Sequence, residues 1–186
     1  MQTTATAEAS TFPRLLLKHA TERPGAPAMR EKEYGIWQTR SWADMATLVE
    51  HLACGLHQAG LQRGEHMIVV GANRPRLSAT MLAAQALGAI PVPLYQDAAA
   101  AECVFPITNA EVRFCLVEDQ EQVDKMLEVR ESCPQLAHIY YDDPRGLRNY
   151  HEAGLTALDE LLTAGKSFAA SHPTFFKDEV AKAHAT

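Results

Sequence analysis

The run from Ser41 to Tyr95, SWADMATLVEHLACGLHQAGLQRGEHMIVVGANRPRLSATMLAAQALGAIPVPLY, leaves a chain few ways to fold. It encodes helix, tight turn, buried strand, helix and buried strand in close succession. Ser41 is a good N-cap, and Asp44 falls where its carboxylate can reach back to the cap amide. Met45, Leu48, Val49, Leu52 and Leu56 recur at spacings of three and four, so one helix face is apolar. Gly60 stops that helix. Met67-Ile68-Val69-Val70 is short, β-branched and apolar on both faces, which suits a central parallel strand. Asn73 is expected to cap the next helix, and Pro75 to sit in its first turn, where a missing N–H costs nothing. Leu77, Met81, Leu82 and Leu87 carry that helix inward and Gly88 ends it. Ile90 to Tyr95 is the next extended segment, placed near a sheet edge or strand mouth by Pro91 and Pro93.

The flanking sequence continues the alternation. Met1 to Ser10 is expected to be a floppy tail of small polar residues. Thr11 to Glu22 is an amphipathic helix that turns Phe12, Leu15, Leu16 and Ala20 inward. Ala28 to Glu31 and Ile36 to Arg40 flank Glu33-Tyr34-Gly35 and predict a β-hairpin. Ala100 to Thr108 is a weak helix, Val112 to Val117 a buried strand, and Asp119 the cap of a helix with Val123, Met126 and Leu127 inside. Leu136 to Tyr141 is a further strand, followed by the turn Asp142-Asp143-Pro144-Arg145-Gly146. Thr156 to Leu162 is expected to be a short helix with a Thr156-x-x-Asp159 cap. Pro173 to Ala185 is a terminal helix with Phe175, Phe176 and Val180 on its apolar side.

Strands alternating with helices predict an α/β fold. The expected form is a flavodoxin-like parallel sheet with helices on both faces, preceded by a small helix and the β-hairpin. Residues 11–165 form the main unit in this division, and residues 166–186 a terminal linker and helix. Ligands of such sheets sit beyond the carboxyl ends of the strands, here near Gly71 to Asn73, Tyr95, Glu118 and Asp142.

Composition narrows the function classes. A formal charge of −6 argues against general nucleic-acid binding. Cys54, Cys103, Cys115 and Cys133 form no Cys-x-x-Cys pair, so they are expected to be reduced core thiols of a cytoplasmic protein rather than zinc or redox ligands. The first ten residues lack the basic and apolar regions of a secretory signal. The most apolar stretch, Leu77 to Tyr95, is too interrupted for a transmembrane segment.

Several segments together carry a resemblance. TFPRLLLKHATERPGAPAMR (Thr11 to Arg30), GIWQTRSW (Gly35 to Trp42), LACGLHQAGLQRGE (Leu52 to Glu65), GANRP (Gly71 to Pro75) and LGAIPVPLY (Leu87 to Tyr95) occur in order. They are similar to the N-terminal region of AMP-forming acyl-CoA synthetases, the adenylate-forming superfamily. VEDQEQVDK (Val117 to Lys125) resembles the long-chain fatty acyl branch. The resemblance implies a complete enzyme that uses ATP and Mg2+ to turn a fatty acid into an acyl-adenylate and then passes the acyl group to CoA. The family's Ser/Thr/Gly-rich phosphate loop, its Tyr-Gly-x-Thr-Glu motif, its ribose-binding Asp and its catalytic Lys have no counterpart in these residues. Gly165-Lys166 lacks the glycine-rich loop that opens backbone amides to phosphate. The chain alone is therefore expected to be inactive and to hold no cofactor. Its expected partner is the remainder of the adenylation domain.

Two residues are candidates for the edge of a substrate channel: Asn73, in the loop after the first buried strand, and Tyr95, at the end of the second. Capping explains the first equally well, and packing the second. Asp142-Asp143 has the composition of an ordinary turn. His19, His51 and His57 are expected on polar helix faces, Lys125 on a solvated one, and Cys115 as an inert thiol inside a strand. A standalone binding or interaction module is the alternative to a ligase part. A flavodoxin-like nucleotide binder ranks below both, because Val70-Gly71-Ala72-Asn73-Arg74 makes a poor phosphate loop.

Overall fold

Each central strand of the protein buries both of its faces, and this divides the molecule into three layers. The computed structural model describes residues 11–182, so the expected tail over residues 1–10 lies outside the described residues. In chain order the elements are α1 (Phe12–Glu22), β1 (Pro27–Glu33), β2 (Ile36–Ser41), α2 (Trp42–Gln58), β3 (His66–Val70), α3 (Pro75–Ala86), β4 (Ile90–Leu94) and α4 (Ala100–Asn109). There follow β5 (Phe114–Val117), α5 (Gln120–Glu128) with a short 3-10 turn, β6 (His138–Tyr141), β7 (Leu155–Ala157), α6 (Leu158–Ser171) and α7 (Phe175–Ala181).

The main sheet is wholly parallel, in the order β4-β3-β5-β6-β7. Renumbered within the sheet this is 2-1-3-4-5, the flavodoxin-like order. Met67, Val69, Phe114, Leu116 and Tyr140 turn to one face, packed by α1, α2, α3, α6 and α7. Ile68, Val70, Cys115, Val117 and Ile139 turn to the other, packed by α4 and α5. The period of two along each strand thus serves two cores at once.

Local chemistry sets several boundaries. The Ser41 Oγ accepts the Asp44 N–H at 3.1 Å, and Asp44 Oδ2 accepts the Ser41 N–H at 2.9 Å. This reciprocal cap is worth about 1 kcal/mol. Tyr34 and Gly35 both take positive φ, 47° and 82°, which closes the β1–β2 hairpin through a two-residue turn. On β4 the Ile90 N–H points into the sheet, donating to Glu65 O at 2.8 Å. Pro91 and Pro93 therefore turn donor-less nitrogens outward, and this edge cannot recruit a further strand.

Several expectations are corrected. Asn73 does not cap α3; Arg74 is the N-cap residue, with no side-chain cap bond. Phe12 faces outward while Pro13 and Leu16 are buried. Thr156 caps nothing: it lies in β7, opposite Tyr140, and α6 starts only at Leu158. The linker expected from residue 166 is helix, because α6 runs without a break to Ser171. α7 begins at Phe175 and buries Phe176 and Val180 in the larger core.

Candidate functional site

In a 2-1-3-4-5 sheet the crossovers leave in opposite directions between the first and third strands, which opens a crevice at their carboxyl ends. Here that point lies between β3 and β5, and the chain fills it with its own carboxylate. Glu118 immediately follows β5, and its N–H donates to Val70 O at 3.0 Å. Its side chain accepts the Ala72 N–H at 2.6 Å and the Arg74 Nε–H at 3.1 Å. Gly71 permits the approach: a Cβ there would lie 2.6 Å from Glu118 Cβ and 2.6 Å from Leu77 Cδ2. The hydrogen bond to Glu118 holds the Arg74 guanidinium above the ordinary arginine range.

Around this plug runs a chain of ion pairs. Arg76, on the first turn of α3, approaches Asp142 Oδ1 at 2.8 Å as an ion pair without hydrogen-bond alignment, and donates through Nη2 to Asp159 Oδ1 at 2.6 Å. Arg145 pairs with Asp143 across the turn after β6. Glu31 on the hairpin lies 3.8 Å from Arg40 and 4.0 Å from Arg74, which ties β1 to the sheet end. These residues, with Lys32, Glu33, Tyr34 and Pro144, line an open cleft of about 660 Å³ roofed by the hairpin.

The electrostatics follow the geometry. Burial raises the Asp142 carboxyl above the usual range, against the pull of Arg76, and the neighbouring charges of Asp159, Glu118 and Glu31 push the same way. The Arg145 side chain holds Asp143 below it. Glu31, Glu118, Asp142, Asp143 and Asp159 each have an arginine partner, so this is a structural ion-pair network. It presents neither a nucleophile with its base nor a phosphate cradle. A phosphate at the switch point would meet the Glu118 carboxylate, so the residues present do not fit the triphosphate of ATP there, and the nucleotide-binder reading loses its site.

The other predicted residues are dispersed. Asn73 and Tyr95 follow the adjacent strands β3 and β4, where Val70 pairs with Leu94. Both are exposed, Tyr95 to 76 %, so Tyr95 is not the packing residue expected of a strand-end aromatic. Lys125 is not on a solvated face: its ammonium donates to Gln96 O at 2.7 Å and pairs with Glu121 at 2.9 Å. His19 packs its ring against Trp42, and His57 against Phe175 at 4.5 Å. Cys115 is fully buried, and desolvation pushes its thiol far above the ordinary range. The sequence alone gives no role to Arg76, marks Glu118 only as a strand end and reads Asp159 only as part of a helix cap. Their one local signal was a charge placed directly after a buried strand or in the first turn of the next helix.

Comparison with known proteins fits this architecture. Residues 16–180 match the family described as AMP-binding enzyme. The chain belongs to that family. The long-chain-fatty-acid–CoA ligase FadD15 of Mycobacterium tuberculosis is 24 % identical over 153 residues, which is 82 % of this chain and 24 % of that enzyme. The uncharacterized protein Rv1549 of the same organism is 30 % identical over 136 residues, 73 % of this chain and 74 % of its own length. Among solved structures, acetoacetyl-CoA synthetase from Streptomyces lividans superposes with a TM-score of 0.71 at 21 % identity, covering 81 % of this chain and 24 % of that one. The chain thus spans about a quarter of the ligase relatives it matches.

Proposed function

We propose that the chain is the N-terminal part of an AMP-forming long-chain fatty acid–CoA ligase. The complete enzyme would activate a fatty acid with ATP and Mg2+ to the acyl-adenylate and then form the CoA thioester. The observation that carries this reading is the family match over residues 16–180 together with ligase relatives such as FadD15. The chain's own contribution is scaffold. Its switch point is filled by Glu118, so the nucleotide, the metal and CoA would be held by the remainder of the adenylation domain, and this chain alone would be inactive. Asn73 and Tyr95 form an exposed edge beyond β3 and β4 that suits one wall of a substrate channel. The setting would be cytoplasmic, with peripheral membrane contact through the lipid substrate; among the described residues no helix is long and apolar enough to cross a membrane.

Pyrophosphate release with palmitate, ATP, Mg2+ and CoA tests the proposal. A native polypeptide containing this chain and the rest of the domain should turn over, and the 186-residue chain alone should give background. Turnover by the chain alone would overturn the division of labour, and none in the longer polypeptide would overturn the ligase reading.

One observation favours a second reading, a standalone binding or interaction module without catalysis. The 136 residues matched in Rv1549 are 74 % of that protein, which is therefore about 184 residues long, the size of this chain. Pyrophosphate release also discriminates here, because a standalone module has no longer active form.

A further inference from the structure

The Glu118 side chain is held as a bound ligand is held. Its Oε2 accepts the Ala72 N–H at 2.6 Å, and its Oε1 accepts the Arg74 Nε–H at 3.1 Å. A backbone amide and a guanidinium, each on its own oxygen, are the charge-assisted donors that hold free carboxylates in proteins. Both donors belong to the segment between β3 and α3, whereas Glu118 follows β5. The donors thus stand on one side of the switch point, and the carboxylate reaches them from the other.

The donor side is braced apart from the Glu118 side chain. The Arg74 N–H donates to Ala72 O at 2.7 Å, and Glu31 approaches the same guanidinium through a different nitrogen, Nη1, at 4.0 Å. The Glu118 backbone is fixed as well: its N–H donates to Val70 O at 3.0 Å, and its carbonyl accepts the Asp143 N–H at 2.7 Å. Gly71, at φ 152°, leaves the room that the carboxylate fills, since a Cβ there would stand 2.9 Å from Glu118 Oε2. The surrounding charge admits one negative group and resists a second. Glu118 and Glu31 both repel Asp142, so a dianion at this point is opposed more strongly than a monoanion.

We propose that Glu118 is an internal ligand: its carboxylate occupies a site for a small carboxylate monoanion, built by the Ala72 N–H and the Arg74 guanidinium at the switch point, and closes that site to free anions. The tether explains the closure. A carboxylate attached beside its donors acts at an effective concentration above that of any dissolved competitor. The native chain therefore takes no anion at the point where sheets of this order bind their ligands, and cutting the side chain back opens the site. The inference does not depend on the ligase reading.

Formate is the probe, against chloride at equal ionic strength and against inorganic phosphate. Urea midpoints and the Ala72 amide resonance of the 186-residue chain report binding, and no ATP chemistry enters the test. In Glu118→Ala, formate should bind no tighter than about 0.5 mM, the ceiling for three heavy atoms. At ten times its Kd it should raise the folding equilibrium constant about tenfold, and the Ala72 resonance should shift with the same Kd. Phosphate should bind roughly tenfold more weakly, because its second charge meets Asp142 and Glu31. Wild type and Glu118→Ala/Arg74→Ala should respond to formate no more than to chloride. Equal effects of formate and chloride on Glu118→Ala overturn the proposal, as does a formate response that survives Arg74→Ala. A formate-dependent Ala72 shift in wild type overturns the closure, and phosphate binding more tightly than formate overturns the carboxylate assignment. If Glu118→Ala is unfolded in chloride, folding on addition of formate supports the site and failure to fold in formate counts against it.

Discussion

Gly165 of α6 lies directly on Gly55 of α2: a Cβ added to Gly165 would stand 2.7 Å from the Gly55 backbone nitrogen and 1.8 Å from the His51 carbonyl oxygen. The contact is reciprocal, since a Cβ on Gly55 would fall 2.5 Å from the Leu161 carbonyl oxygen. The two helices therefore cross backbone to backbone, and both glycines are packing residues rather than breaks. This contact seats α6 against the core after β7 and fixes Asp159, the partner of Arg76, at the sheet end.

Gly165→Ala forces those backbones apart and should cost on the order of 3 kcal/mol, at the upper end of overpacking penalties. For a domain of this size that lowers Tm by roughly 6–12 °C. Gly25, where an added Cβ would meet nothing within 4 Å, is the internal control. Gly25→Ala should stay within about 0.5 kcal/mol of wild type. Calorimetry on the three proteins checks the difference, and equal stability of Gly165→Ala and wild type would refute the close crossing.

Glu118 makes the second prediction. Glu118→Ala leaves the Ala72 N–H and the Arg74 guanidinium without their acceptor, and should cost about 1.5–3 kcal/mol in urea unfolding. Arg74→Ala should cost less, within about 1 kcal/mol, because the arginine is nearly half exposed and water replaces its pairing. The reverse order would show that Glu118 is held by charge alone rather than by the loop amide.

How far the sequence was legible depended on the range of each interaction. The Ser41–Asp44 cap, the strand β3 and the edge position of β4 follow from contacts within a few residues, and all are present. β7 escaped because Leu155–Ala157 is too short for a period of two to show, and Thr156 and Asp159 imitate a cap. The sequence alone ends the main unit at Gly165, since glycine usually ends helices, and only the distant α2 explains its place inside one. The candidate cleft was the least legible part. Arg76 and Asp159 are far apart in sequence, and only the packing of α3 and α6 against the same helix, α2, brings them together.

Asp142 predicts a pH dependence of definite sign. Its folded-state pKa is raised above the unfolded value of 3.8, mainly by burial. The folded state therefore binds its proton more tightly, and this residue subtracts stability as pH rises through the window between those two values. Asp143, lowered by Arg145, acts the opposite way: its contribution is present above 3.8 and is lost as pH falls through its lower folded value. Asp142→Asn removes only the first effect. Whatever constant offset the lost Arg76 contact imposes, the stability of Asp142→Asn relative to wild type should increase from about pH 4 to about pH 7. Urea midpoints at a series of pH values measure that slope, and a flat difference would show that burial does not raise Asp142.

The thiols give the last prediction. Cys54, Cys103, Cys115 and Cys133 are all buried. Burial pushes the Cys54 thiol up to about 11 and raises those of Cys103 and Cys115 as well, so thiolate is scarce at neutral pH. Cys54 lies in α2, and Cys115 lies in the central strand β5, on the floor of the smaller core, where α5 still covers it if α4 alone opens, so reagent reaches these two only through wider opening. Cys103 and Cys133 lie in the smaller core under α4, which Phe105 leaves apolar on its outer side, and α4 carries Pro106 inside it. Local opening of α4 should therefore expose Cys103 and Cys133 before the other two. With dithionitrobenzoate at about pH 8 the native protein should show no fast thiol. In sub-denaturing urea two thiols should react ahead of the remaining two, with peptide mapping placing the early label on Cys103 and Cys133. Simultaneous release of all four would mean that both cores open as one cooperative unit.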